Sequence, residues 1–242
     1  MKREYHKWWS ENLNRDMEML VFGHAGAKVL VFPTRDGRFF EYEDLRLTEV
    51  LRHKIEAGQL QLYCLDGISN ESFYCFWAHP SGRIQRYLEY EAYVLEEVIP
   101  FADELNDHPC IISHGCSLGG YFAANIVFRH PKPFSKLVAF SGRYDLTLKV
   151  ESFDSLLGAH YDDEVYFNTP THFLPGLKSK AILKELRRID MIFVIGRQDP
   201  FVKNNEHLSR ILTQKKISHR LHYWPGRAHR GRFWREMAPH FV

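Results

Sequence analysis

The chain has 242 residues, 45% hydrophobic and 26% charged, the mix of a soluble globular protein large enough to bury a core unaided. Its formal charge of +2 excludes the strongly basic balance of a nucleic-acid or membrane-surface binder, and its longest apolar runs, such as residues 28–32, are too short to span a bilayer. Cys64, Cys75, Cys110 and Cys116 show neither metal-ligand spacing nor disulfide-scaffold density, so free thiols in a reducing compartment are expected.

In chain order, residues 1–10 are charged and aromatic, with no apolar signal core, and the expected location is cytoplasmic. Residues 17–24 read as a strand, closed by the glycines at 23 and 26. Residues 28–32 are nearly all apolar and β-branched, the pattern of a central strand, with a loop at 33–38. A helix is expected over 41–57, with Leu45, Val50, Leu51 and Ile55 near one face and Gly58 as its stop. A strand follows at 60–65, then an irregular aromatic stretch from 69 to 82 that holds Phe73, Tyr74, Phe76 and Trp77. A long helix spans 86–105, with Pro100 set to kink it or split off its last turn.

Beyond this point strands at 110–113, 136–141, 191–195 and 220–224 alternate with helices at 121–129, 181–188, 204–216 and from 233 onward. That alternation predicts an α/β fold, a mostly parallel sheet with helices on both faces. No repeat, low-complexity stretch or linker interrupts it, so a single domain over 1–242 is expected. The aromatic-rich connection at 142–175 reads as a lid or substrate wall.

Gly115-Cys116-Ser117-Leu118-Gly119 has the glycine–serine–glycine spacing of a nucleophile elbow, between a short apolar strand and an alanine-rich helix. A serine there sits on a tight, strained turn, and glycines two before and two after remove side chains that would collide. The helix start aims free N–H groups at the serine, which makes Leu118 N–H the first donor for an oxyanion. Cys116 is adjacent, but the elbow puts Ser117 at the apex.

A serine hydroxyl needs a base, and the base needs an acid to fix its tautomer. In a parallel sheet the loops that follow the strands share one edge. Of 14 histidines, His229 lies in the loop after the last strand, whereas His222 is within a strand, His130 at a helix end and His24 in an early turn. Asp199 follows a fully apolar strand; Asp145 is the runner-up, and Asp190 precedes its strand. Ser117, Asp199, His229 is the chain order of an α/β-hydrolase triad.

The chain resembles the α/β-hydrolases of the putative-esterase family, the group related to esterase D and to mycolyltransferase-like enzymes. The resemblance runs over nearly the whole chain. It is carried by residues 29–34 (Val-Leu-Val-Phe-Pro-Thr), 115–120, 140–142 (Phe-Ser-Gly), 196–200 (Gly-Arg-Gln-Asp-Pro) and 224–229 (Trp-Pro-Gly-Arg-Ala-His). It implies a serine esterase for small-molecule carboxylic esters, without metal or cofactor. It also implies a second oxyanion donor from the loop after the early central strand, at Thr34 or Arg35. Many relatives carry His-Asp-Trp at the histidine; here His229 is followed by Arg230 and Gly231, with Trp234 later. The early loop also lacks the common His-Gly pair.

Candidate substrate contacts are Trp77 and Arg230, the latter one of four arginines, with Arg227, Arg232 and Arg235, around the histidine loop. The expected partner is a small ester, with no nucleic acid and no membrane; assembly into a homo-oligomer is left open. Two other functions fit the same sequence: acyl transfer by the same triad, and a silent binding protein on a hydrolase scaffold.

Overall fold

The computed structural model describes all residues, 1–242. Eight strands form one sheet: β1 (Arg3–Ser10), β2 (Arg15–Phe22), β3 (Ala27–Phe32), β4 (Leu60–Leu65), β5 (Ile111–Cys116), β6 (Lys136–Phe140), β7 (Asp190–Gly196) and β8 (Arg220–Trp224). Their order across the sheet is β1-β2-β4-β3-β5-β6-β7-β8. The β1–β2 and β2–β4 pairs are antiparallel and all others parallel.

The helices are α1 (Glu41–Asp44), α2 (Leu47–Val50), α3 (Arg52–Glu56), α4 (Pro80–Tyr93), α5 (Ile99–Leu105), α6 (Leu118–Arg129), α7 (Asp163–Phe167), α8 (Pro170–Gly176), α9 (Lys180–Leu186), α10 (Val202–Gln214) and α11 (Gly231–Phe241). None is long and apolar enough to cross a membrane.

Alternate residues of the central strands feed two cores, as period-2 side-chain geometry requires. On one face Leu30, Phe32, Leu137, Met191 and Phe193 pack under α4, α5, α6 and α10. On the other, Val29, Val31, Ile112, Cys116, Val138 and Val194 pack under α1–α3 and α11. Both faces are sealed, which is why these strands read as largely apolar runs rather than as alternating ones.

Three features depart from the sequence reading. The first strand, β1, was not expected: its outward residues Arg3, Tyr5, Lys7 and Trp9 are exposed while Glu4, His6 and Trp8 are half-buried. An edge strand with charges on both faces hides its periodicity, and Lys7 and Arg3 also guard that open edge. The expected helix at 41–57 is three short pieces. Arg46 adopts a left-handed conformation, φ 56°, and the buried apolar residues are Tyr42, Leu47, Leu51 and Ile55. The five-residue step from 42 to 47 does not fit one helical face, and the break at Arg46 resets the phase. The Pro100 helix starts earlier, at Pro80, and runs on without a break through a π turn at Val94–Val98. Proline lacks an N–H, and the wide turn just before it absorbs the missing donor.

Candidate active site

Strand β5 delivers Ser117 to the C-terminal edge of the sheet. Ser117 N–H still donates to Phe140 O of β6 at 2.8 Å, so the sheet itself holds the serine backbone, at φ 56°. A Cβ at Gly115 would collide with the Gly119 carbonyl, and one at Gly119 with the Phe32 carbonyl. Both glycines are therefore required by close approach of backbone, the first within the elbow and the second between α6 and β3.

Ser117 Oγ lies 2.9 Å from His229 Nε2, and His229 Nδ1 lies 2.8 Å from Asp199 Oδ2. The Asp199 carboxylate is fully buried and its other oxygen accepts from Phe201 N–H at 2.9 Å. With that carboxylate ionised, Nδ1 carries the imidazole proton and the Nε2 lone pair faces the serine hydroxyl. The acid and base loops are laced together: Arg197 N–H donates to Trp224 O and Gln198 N–H to Gly226 O. The imidazole packs between the Phe201 ring, 6.3 Å away by centroids, and the Trp234 ring, 5.8 Å away edge-on. Trp234 Nε1 in turn donates to Ser141 Oγ at 3.3 Å.

Strain collects at this edge of the sheet. Ser117, Ser141 and Ala228, the residue before His229, all take positive φ without being glycine. Such conformations persist only where the surroundings over-determine them, and they cluster at working sites.

Asp145, the alternative acid, is elsewhere. Its Oδ1 accepts from Thr147, and its Oδ2 sits 3.4 Å from His172 Nε2 on α8. Those bonds hold its carboxyl down to about 2 despite burial. Cys116 points into the core under α11, and burial pushes its thiol pKa well above the ordinary value, so no thiolate competes with Ser117.

Leu118 is the first residue of α6, so its N–H has no partner within the helix. The two early-loop candidates differ. Thr34 N–H donates to Glu41 Oε2 at 2.8 Å and its hydroxyl also bonds that carboxylate, so the Thr34 N–H is spent. Arg35 N–H finds no acceptor in the protein. Sequence reasoning missed Glu41, on the opening turn of α1; nothing in its local pattern marks it. Trp77 is 90% exposed, and Arg230 is exposed with no side-chain partner. Among its neighbours, Arg227 pairs with Glu151 at 3.0 Å and Arg235 bonds Leu45 O.

A mostly parallel sheet with a serine on the β5–α6 turn, an aspartate after β7 and a histidine after β8 is the arrangement of an α/β-hydrolase. The model of the putative esterase family matches residues 10–236. The chain belongs to that family, and the protein is a serine hydrolase of carboxylic esters. No curated protein sequence matches the chain. Solved structures share its fold. A ferulic acid esterase is 14% identical with a TM-score of 0.73, covering 98% of this chain and 95% of that one. An S-formylglutathione hydrolase from Staphylococcus aureus is 15% identical with a TM-score of 0.68, over 98% and 94%. A ferulic acid esterase from Anaeromyces mucronatus is 14% identical with a TM-score of 0.68, over 100% and 89%.

Proposed function

We propose that ester hydrolysis runs through an acyl-enzyme on Ser117, with His229 as general base then acid and Asp199 as its orienting carboxylate. Ser117 Oγ gives its proton to His229 Nε2 as it attacks the ester carbonyl. Asp199 stabilises the imidazolium that forms. Leu118 N–H and Arg35 N–H receive the carbonyl oxygen as it becomes an oxyanion. His229 then protonates the leaving alcohol, and a water activated by the same nitrogen releases the acid. The observation that carries this reading is the unbroken relay of 2.9 Å and 2.8 Å from Ser117 through His229 to Asp199.

The chain is a single domain in this reading, with residues 142–175 as one wall of the substrate cleft and Trp77 and Arg230 at its rim. The four cysteines are free thiols, which supports a cytoplasmic setting. Ser117→Ala tests the assignment: turnover of a p-nitrophenyl ester should fall by about 10⁴-fold or more with the fold unchanged. Turnover within tenfold of the parent would remove Ser117 from the reaction.

A further inference from the structure

Arg143 carries a positive charge into the protein with no carboxylate to meet it. It follows β6 by way of Ser141 and Gly142 and is only 7% exposed. Nε donates to Asp145 O at 2.8 Å, and Nη2 to the carbonyls of Leu146, Leu148 and Asp154. These bonds pin the turn after β6, but carbonyl dipoles do not neutralise a guanidinium. The nearby acids are engaged elsewhere, Asp145 with His172 and Thr147, Asp154 with Lys149. Nη1 has no acceptor in the protein, and it is not sealed from solvent. A buried charge is costly unless paired, and burial already pulls the Arg143 pKa down.

β6 lies beside β5 in the sheet, so the turn that Arg143 pins follows the strand next to the one that carries Ser117. The Arg143 guanidinium carbon lies 5.6 Å from the centre of the Phe201 ring, which itself packs on His229. β3 flanks β5 on the other side, and in the loop after it the Arg35 guanidinium carbon stands 4.2 Å from the centre of the Tyr74 ring, whose hydroxyl has no partner in the protein. Burial raises the pKa of that hydroxyl while Arg35 and Arg143 both pull it back, so the phenol lies under the influence of both cations. Asp36 reaches only Arg35 Nε, at 3.3 Å, and both side chains are more than half exposed.

Resting on the esterase reading above, we propose that the ester this enzyme cleaves carries an anionic group, a carboxylate or comparable anion. That group docks between Arg143 Nη1, the Tyr74 hydroxyl and the Arg35 guanidinium. The substrate then supplies the counter-charge that the protein withholds, as charge-assisted bonds to a guanidinium favour. The ester bond sits over Ser117 with the anion held to one side.

Two ester pairs test this and show which side of the ester carries the anion. The p-nitrophenyl monoester of succinic acid is compared with p-nitrophenyl butyrate, and 4-carboxyphenyl butyrate with phenyl butyrate. One anionic member should exceed its neutral partner by about tenfold or more in kcat/KM, mainly through KM, and the advantage should shrink with added salt. Succinate should inhibit butyrate hydrolysis competitively. Arg143 variants can loosen the turn that Arg143 pins, so Arg35→Gln and Tyr74→Phe carry the test. The anionic-to-neutral ratio should collapse toward unity in Arg35→Gln and fall in Tyr74→Phe. An absent advantage in both pairs, or one that survives Arg35→Gln, overturns the proposal. Failure to cleave any ester, with Ser117 unreactive toward a fluorophosphonate, overturns the esterase reading and this proposal with it.

Discussion

Asp199 and Asp145 show how one carboxylate comes to hold the histidine beside Ser117 and another becomes a structural tie. Both follow sheet strands, but only Asp199 meets the histidine of the last loop; Asp145 is held by Thr147 and α8. Asp199→Asn keeps the geometry yet favours the wrong imidazole tautomer, so kcat should fall by about 10⁴-fold. Asp145→Asn should change kcat by less than roughly fivefold, because its carboxylate touches no group of the relay. The reverse ranking in a p-nitrophenyl ester assay would exchange their roles. Chain order after the strands pointed to Ser117, His229 and Asp199, the three side chains that the structure brings within hydrogen-bond reach at the sheet edge. Order said nothing about side-chain partners within a loop, and that is why Thr34 and Arg35 were equivalent in the sequence. Glu41 separates them by binding Thr34 through both its N–H and its hydroxyl. Glu41→Ala frees that loop, so kcat should fall by about tenfold or more with KM little changed, the pattern of a lost transition-state contact.

Strand β5 holds a second consequential side chain three residues before Ser117, the proposed nucleophile. His114 is fully buried, with Nδ1 2.8 Å from Val138 O and Nε2 3.0 Å from the Tyr42 hydroxyl. Nδ1 therefore donates to the carbonyl and Nε2 accepts from the phenol, which requires a neutral ring. Burial holds its pKa down to about 4. The unfolded chain binds this proton near pH 6.5 and the folded chain only near 4, so stability falls as pH drops through that window. The loss amounts to on the order of 3 kcal/mol once both states are protonated. Denaturant midpoints measured from pH 7 to pH 4 should show this slope, and His114→Gln should flatten it; an unchanged slope in that variant would assign the acid sensitivity elsewhere. At this scale the central strands were readable because burial on both faces leaves mostly apolar residues, with His114 among the few exceptions. β1 and the α1–α3 region were not, because an exposed edge and a left-handed break both scramble periodicity.

Across the whole molecule, the sheet edge gathers Ser117, His229 and Asp199, and residues 142–175 form the proposed wall beside them. The link from the histidine loop to that segment, Arg227 to Glu151, is about half exposed at both ends. Such a pair contributes little, so Glu151→Ala should shift stability by less than about 0.5 kcal/mol. The firmer anchor is Arg143, whose carbonyl bonds fasten the start of the segment from within. The sequence marked this stretch only as long and aromatic, since an arginine that bonds backbone carbonyls leaves no pattern.

Ser117 is the proposed nucleophile, activated by His229. The most direct test treats the protein with a fluorophosphonate and maps the adduct by peptide mass spectrometry. A single adduct on Ser117 is expected, absent in Ser117→Ala and strongly slowed in His229→Ala. An adduct on any other residue, Cys116 included, or labelling that ignores the loss of His229, would contradict it.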